Sequence, residues 1–196
     1  MGWRDNISPK RAWNESIIVS CTLIIIGCSL TITSIQHLFF PWDKSDFIKY
    51  HATLETSPIF KKSRSGPSLK LKFKEASNFE FTIDGDNYTV LQNKNAIKEL
   101  KTGSRVSVLV DKSQFNAKIA ESETPTFVQK TINWKWIRVY EFKNEEQTFL
   151  VFNQVIEELK NVSKIYLIFG LICCIGTFFY MKYEYRIYKN SKKQYC

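Results

Sequence analysis

Two stretches without a charged residue constrain this chain more than anything else in it. Ser16 to Phe40 runs for 25 residues without Asp, Glu, Lys or Arg, and Ile165 to Met181 for 17 more, in a chain of 196 residues with 28 Lys and Arg. A bilayer core takes about 20 apolar residues of helix. The pattern predicts two transmembrane helices, at 16–40 and 164–183, and argues against a simple soluble protein, a disordered chain or a collagen-like one. The net charge of +9 then belongs to a membrane protein, and no nucleic acid is expected as a partner. The predicted organisation is a tail over 1–15, the first span, a domain over 41–163, the second span, and a basic tail over 184–196.

The first span is dense in Ile and Leu in its first half and carries Thr31, Thr33, Ser34, Gln36 and His37 in its second. Trp13 and Trp42 bracket it, as amphipathic rings at two headgroup levels would. Lys10 and Arg11 followed by Ile25-Ile26-Gly27-Cys28 loosely resemble a lipoprotein signal. The chain stays apolar beyond Cys28, however, and an uncleaved anchor is expected. The second span has Tyr166, Tyr180 and Tyr183 near its ends, and its Gly170/Cys174 and Cys173/Thr177 pairs have the small-xxx-small spacing that lets helices approach. Lys and Arg near the span ends number eight on the tails (Arg4, Lys10, Arg11, Lys182, Arg186, Lys189, Lys192, Lys193) and four on the loop side (Lys44, Lys49, Lys160, Lys164). That bias predicts a multi-pass plasma (inner) membrane protein with both termini cytoplasmic and the central domain outside. The five cysteines lie in the spans or at Cys196, so the loop holds no disulfide framework.

Between the spans the periodicity changes to two. Leu69, Leu71 and Phe73 alternate with Lys70, Lys72 and Lys74, and Phe79, Phe81 and Ile83 continue the alternation. Asp84-Gly85-Asp86-Asn87 reads as a hairpin turn into a strand over Tyr88–Leu91. A short helix is expected over Asn95–Leu100. A strand over Arg105–Val110 should turn Val106, Val108 and Val110 inward and Ser107 to water. Phe115–Ala120 reads as a weaker strand. Ile132–Phe142 reads as an extended stretch, with Ile137, Val139 and Glu141 on one face and Trp134 and Trp136 on the other. Thr148–Phe152 should return as a strand and Asn153–Lys160 form a helix leading into the second span. Phe47–Glu55 opens the domain, and Ser57–Pro67 reads as a loop. The fold class expected is therefore an α+β membrane protein. Its two transmembrane helices flank a small antiparallel β-barrel or sandwich with one or two short helices.

The run Leu100, Lys101, Gly103, Val106 and Val108, and the closing hairpin and helix over Tyr140–Leu159, resemble the small β-barrel inserts found in two-pass bacterial membrane proteins. The resemblance covers residues 68–183 and implies a β-barrel between two spans without implying an activity.

Catalytic signatures are missing. The only histidines are His37 and His51, there is no nucleotide-binding or nucleophile-elbow motif, and no catalytic residue, metal ligand or cofactor is expected. What remains is charge: Lys61, Lys62, Arg64, Lys70, Lys72 and Lys74 form a strip that is a candidate contact for anionic headgroups or an anionic envelope polymer. Lysines on an exposed edge strand also serve to block edge pairing. The expectation is a non-enzymatic protein presenting an extracytoplasmic binding or assembly module, with the lipid bilayer and another membrane or envelope protein as partners. An accessory or immunity-type subunit and a membrane enzyme are the alternatives.

Overall fold

A computed structural model describes residues 9–40, 42–64, 66–131 and 134–194. Arg4 of the tail, Pro41 at the domain boundary, the start of the expected strand at Ile132, and Cys196 lie outside the described residues. The chain divides into two compact units, one built by the terminal segments up to Phe40 and from Lys160, the other by Pro41–Leu159.

The first unit is a pair of antiparallel helices, α1 (Pro9–Phe39) and the greater part of α6 (Phe152–Gln194). Both are long and apolar enough to cross a membrane. Their burial is inside out relative to a water-soluble helix pair. Ser20 and Ser34 of α1 are 0% and 2% exposed, while Ile18, Ile25 and Ile32 are all more than half exposed. On α6 beyond Leu159 the buried polar positions are Ser163, Thr177 and Glu184, with Ile165, Ile168 and Ile172 outward. Ser163, Gly170, Thr177 and Glu184 recur every seven residues, as do Ser20, Gly27 and Ser34; this is the spacing of a helix–helix seam. Small residues there let the backbones approach closely. Gly27 and Gly170 mark the tightest point. A Cβ on Gly170 would sit 2.6 Å from Thr31 Oγ1 and 2.8 Å from the Gly27 carbonyl oxygen. Further along the seam, the Ser16 and Tyr180 hydroxyls pair at 3.2 Å and His37 Nδ1 lies 3.3 Å from Ser163 Oγ. Trp13 stacks on Tyr188 at 5.6 Å, which fits a ring at a headgroup level. Trp42 does not share that role. It packs edge-on against Phe47 and Tyr140, at 6.0 and 5.4 Å, within the second unit.

The second unit is built on one mixed seven-stranded sheet. Its strands are β1 (Phe47–Thr53), β2 (Ile59–Ser63), β3 (Gly66–Leu71), β4 (Glu80–Asp84), β5 (Arg105–Asp111), β6 (Trp136–Lys143) and β7 (Thr148–Leu150), in the order β1-β5-β6-β4-β3-β2 with β7 on β6. The expected antiparallel barrel or sandwich is corrected here: the sheet is open, and β4 and β6 run parallel. A single bridge between Leu54 and Phe73 draws β1 towards β3, but one bridge is no ladder and the sheet does not close. The described residues form four short helices, α2 (Gly85–Thr89), α3 (Lys94–Glu99), α4 (Lys112–Lys118) and α5 (Phe127–Thr131); α3 is the helix expected over Asn95–Leu100, and the one expected over Asn153–Lys160 is the start of α6.

Alternation in β3 and β4 turns Leu69, Leu71, Phe81 and Ile83 inward, all fully buried, with Phe73 beside them. Burying one such side chain stabilises by about 1.5–3 kcal/mol. Tyr50, Phe73 and Phe81 stack into one aromatic cluster, with Phe73 and Phe81 centroids 4.5 Å apart. Several segments depart from expectation for identifiable reasons. Asp84-Asn87 opens α2, not a hairpin. Gly85 takes φ +51° and the buried Asn87 Nδ2 donates to the Val139 carbonyl at 2.8 Å, which pins the segment as a helical turn. Phe115–Ala120 falls in and after α4, not a strand, because Asp111 caps that helix by accepting from Gln114 N at 2.8 Å. The Ser57–Pro67 loop contains β2, paired in register with β3 from Ile59/Lys70 to Ser63/Gly66. In β5, Ser107 is buried along with its valine neighbours, since His51 of β1 and Lys143 of β6 flank it in register.

β6 carries a bulge. Val139 pairs with Val110 and Glu141 with Leu109, leaving Tyr140 as the extra residue. Burial accordingly passes from Ile137 and Val139 to Tyr140 and Phe142, and Glu141, expected on the inner face with Ile137, lies outside it.

Candidate functional site

Strand alternation decides which of the six basic residues act together. On β3, Lys70 stands opposite Thr82 of β4, which stands opposite Arg138 of β6, so these belong to the outer face. Lys61 joins that face through its partner Ser68, one pleat from Lys70. Lys72 follows at the end of β3. Lys62 and Arg64 do not join it; Lys62 lies on β2, the outermost strand, where lysines block edge pairing, and Arg64 is in the turn that follows it. Lys74 sits in a turn beside Glu75, whose carboxylate accepts the Thr53 N–H at 2.9 and 3.1 Å. Burial pushes the Glu75 carboxyl up, but those hydrogen bonds and Lys74 outweigh it and leave it below its usual range.

Within the face, Lys70 hydrogen-bonds Glu80, and Arg138 donates from Nε and Nη2 to Asp84 Oδ1 at 3.2 Å. The bond from Lys70, with the ammonium groups of Lys61 and Lys72 behind it, holds the Glu80 carboxyl below its ordinary value against the opposing effect of burial. Several cations thus converge on one carboxylate. Lys70 and Glu80 themselves help to line a recess of about 370 Å³, together with Lys72, Lys135, Ser77, Asn78 and the half-exposed indole of Trp136. The Lys70 ammonium lies over that indole, 6.0 Å from the ring centroid. Lys135 and Trp136 are held from behind: the Lys135 carbonyl accepts from Glu80 N at 2.8 Å, and Lys118 Nζ donates to the Trp136 carbonyl at 2.6 Å.

Sequence reasoning left Lys135 unassigned and placed Trp136 only on one face of an extended stretch. The alternation Trp134-Lys135-Trp136 marks an aromatic and basic segment, but its approach to the lysines of β3 goes through β4. Lys118 was hidden by reading its segment as a strand.

Lys118 carries a testable consequence. It is 2% exposed, and burial lowers its ammonium to about 8, with Asp111 opposing. A base whose folded pKa is depressed penalises the charged form, so the unfolded chain binds more protons above pH 8 and stability rises with pH there. Tyr140, pushed up to about 12 by burial, reverses the trend only where an unfolded tyrosine ionises, near pH 10. Lys118→Met is expected to flatten the rise of the thermal midpoint between pH 8 and about 10. An unchanged slope in melts followed by near-ultraviolet circular dichroism would refute the assignment.

A second recess, of about 480 Å³, lies among His51, Glu75, Arg105, Lys143 and Glu145. Its mixed signs favour neither an anion nor a cation. Among the described residues no group of three His, Cys, Asp or Glu could hold a metal ion. No protein-family model and no curated protein matches the chain.

Proposed function

We propose that the chain is a two-pass integral membrane protein of the plasma membrane, with both termini cytoplasmic, that holds the domain between its helices outside the membrane as a binding module. The observation that supports this reading best is the inverted burial of α1 and α6, with serines, glycines and a threonine in the seam and isoleucines and phenylalanines outward. In water such an arrangement would expose a large apolar surface; in lipid it is the stable one, because lipid tails solvate the isoleucines while close packing joins the helices. The orientation rests on the Lys and Arg bias towards the tails. The basic outer face of the sheet supplies the module with a binding surface.

The test is labelling of single cysteines in a background with the five native cysteines replaced by serine. A cysteine at the exposed position Ser113 is expected to react with an impermeant maleimide on intact cells. One at Ser191 is expected to react only after lysis. The reverse pattern overturns the orientation, and equal labelling before lysis overturns the two-span topology.

A further inference from the structure

We propose that the recess beside Trp136 binds an anionic sugar unit, its ring against the indole and its carboxylate or phosphate between Lys72 and Lys135. The proposal deepens the reading of the domain as a binding module by naming the ligand chemistry. Its parts are already in place. Lys70 is engaged by Glu80, whereas Lys72 and Lys135, which also line the recess, are in no ion pair among the described residues. Two ammonium-bearing side chains lining one recess repel each other and are relieved by an anion between them, through charge-assisted hydrogen bonds. Glu80 also lines the recess, but its charge is offset by Lys70, with Lys61 and Lys72 adding positive charge nearby.

The ligand's other half follows from the wall. Trp136 is 50% exposed on the outer face of β6, opposite the fully buried Ile137 and Val139. A large amphipathic ring left open beside polar groups is a platform for a flat, partly apolar partner. Ser77 and Asn78, which also line the recess, offer donors and acceptors to hydroxyl groups. The recess is at the small end of ligand pockets, which suits one ring and its charged substituent. The backbone anchors at Lys135 and Trp136 fix the wall before ligand arrives, which lowers the cost of binding. A lipid headgroup would use the cations without the indole. A nucleotide would use both, and the test separates it.

The experiment uses the full chain in phosphatidylcholine nanodiscs, free of glycoside detergents that would compete. Titration calorimetry is run with trigalacturonate, glucose 6-phosphate, the neutral trisaccharide maltotriose, inorganic phosphate and AMP. At least one of the two anionic sugars is expected to bind roughly tenfold or more tightly than maltotriose, phosphate or AMP, and to weaken with added salt. Which of the two binds identifies carboxylate or phosphate as the source of charge. The double substitution Lys72→Ala/Lys135→Ala and the single Trp136→Ala are each expected to weaken that binding about tenfold or more, and Trp136→Phe to retain most of it. Lys62→Ala, on the β2 edge, is expected to change nothing. Unaltered far-ultraviolet circular dichroism marks each variant as folded, and Trp136→Phe serves where Trp136→Ala is not. Equal affinity for maltotriose, tighter binding of AMP or of phosphate alone, full binding by the Lys72/Lys135 variant, or no binding by either anionic sugar overturns the proposal. None of these outcomes alters the maleimide pattern, so failure of the ligand and failure of the topology are read separately.

Discussion

Val108→Asp is expected to unfold the domain between the helices. Val108 is 1% exposed and stands between Tyr50 of β1 and Phe142 of β6 in the ladder. A carboxylate there has apolar neighbours on both sides and no cation in its row. The penalty is several kcal/mol, comparable with the whole stability of a small domain. Ser107→Asp, one residue away, is a graded control. Ser107 is also buried, but its row contains His51 and Lys143, which offer a carboxylate partners, so a cost of about 1–2 kcal/mol is expected. Limited proteolysis of the detergent-solubilised protein distinguishes them: rapid loss of the domain for Val108→Asp, near-parental resistance for Ser107→Asp. Equal sensitivity would mean that the two faces of β5 are not chemically distinct.

Gly170→Leu is expected to separate the helix pair. Even the first carbon of the new side chain would lie 2.6 Å from Thr31 Oγ1 and 2.8 Å from a backbone oxygen of α1; a rotamer change can move the hydroxyl but not the backbone. Overpacking at such a point costs about 1–3 kcal/mol or more, in a seam of small and polar residues that buries little apolar surface. Cys28 and Cys174 report the loss, since their sulfurs are 4.0 Å apart across the seam. With the other cysteines replaced and a protease site placed in the Asn144–Gln147 turn, oxidation is expected to keep the cut fragments joined in the parent. Gly170→Leu should abolish most of that cross-linking. Gly176→Leu should leave it intact, because nothing lies near a Cβ at Gly176. Similar yields from both variants would contradict the seam.

The features legible in the sequence were those written as local periodicity. The alternation Leu69-Leu71-Phe73 and Phe81-Ile83 predicts the inward faces of β3 and β4 because a pleat sorts side chains by parity, and the uncharged runs predict the two long helices through composition alone. What escaped was decided by partners distant in the chain. The parallel pairing of β4 with β6 joins Glu80 to Trp136 across more than fifty residues, and no local pattern announces it. Asn87 belongs to a helical turn because its amide reaches Val139, again far in sequence. The candidate site shows the same division. Lys61, Lys70 and Lys72 were visible as a strip, yet which lysines cooperate depends on pairing, and Lys135 and Trp136 reach the recess from another strand.

The bulge at Tyr140 makes one position in β6 expendable in a way its neighbours are not. Because Tyr140 is the residue without a counterpart in β5, removing it would restore a regular ladder and leave Glu141, Phe142 and Lys143 facing as they do now. The loss would be confined to a ring that packs on Trp42 and Phe47. A deletion within the regular stretch at Arg138 would instead reverse the facing of the residues on one side of it, sending either Trp136 or Val139 to the wrong surface. Related chains that differ in length by one residue in this strand would therefore be expected to differ at the bulge, keeping the recess and the core unchanged.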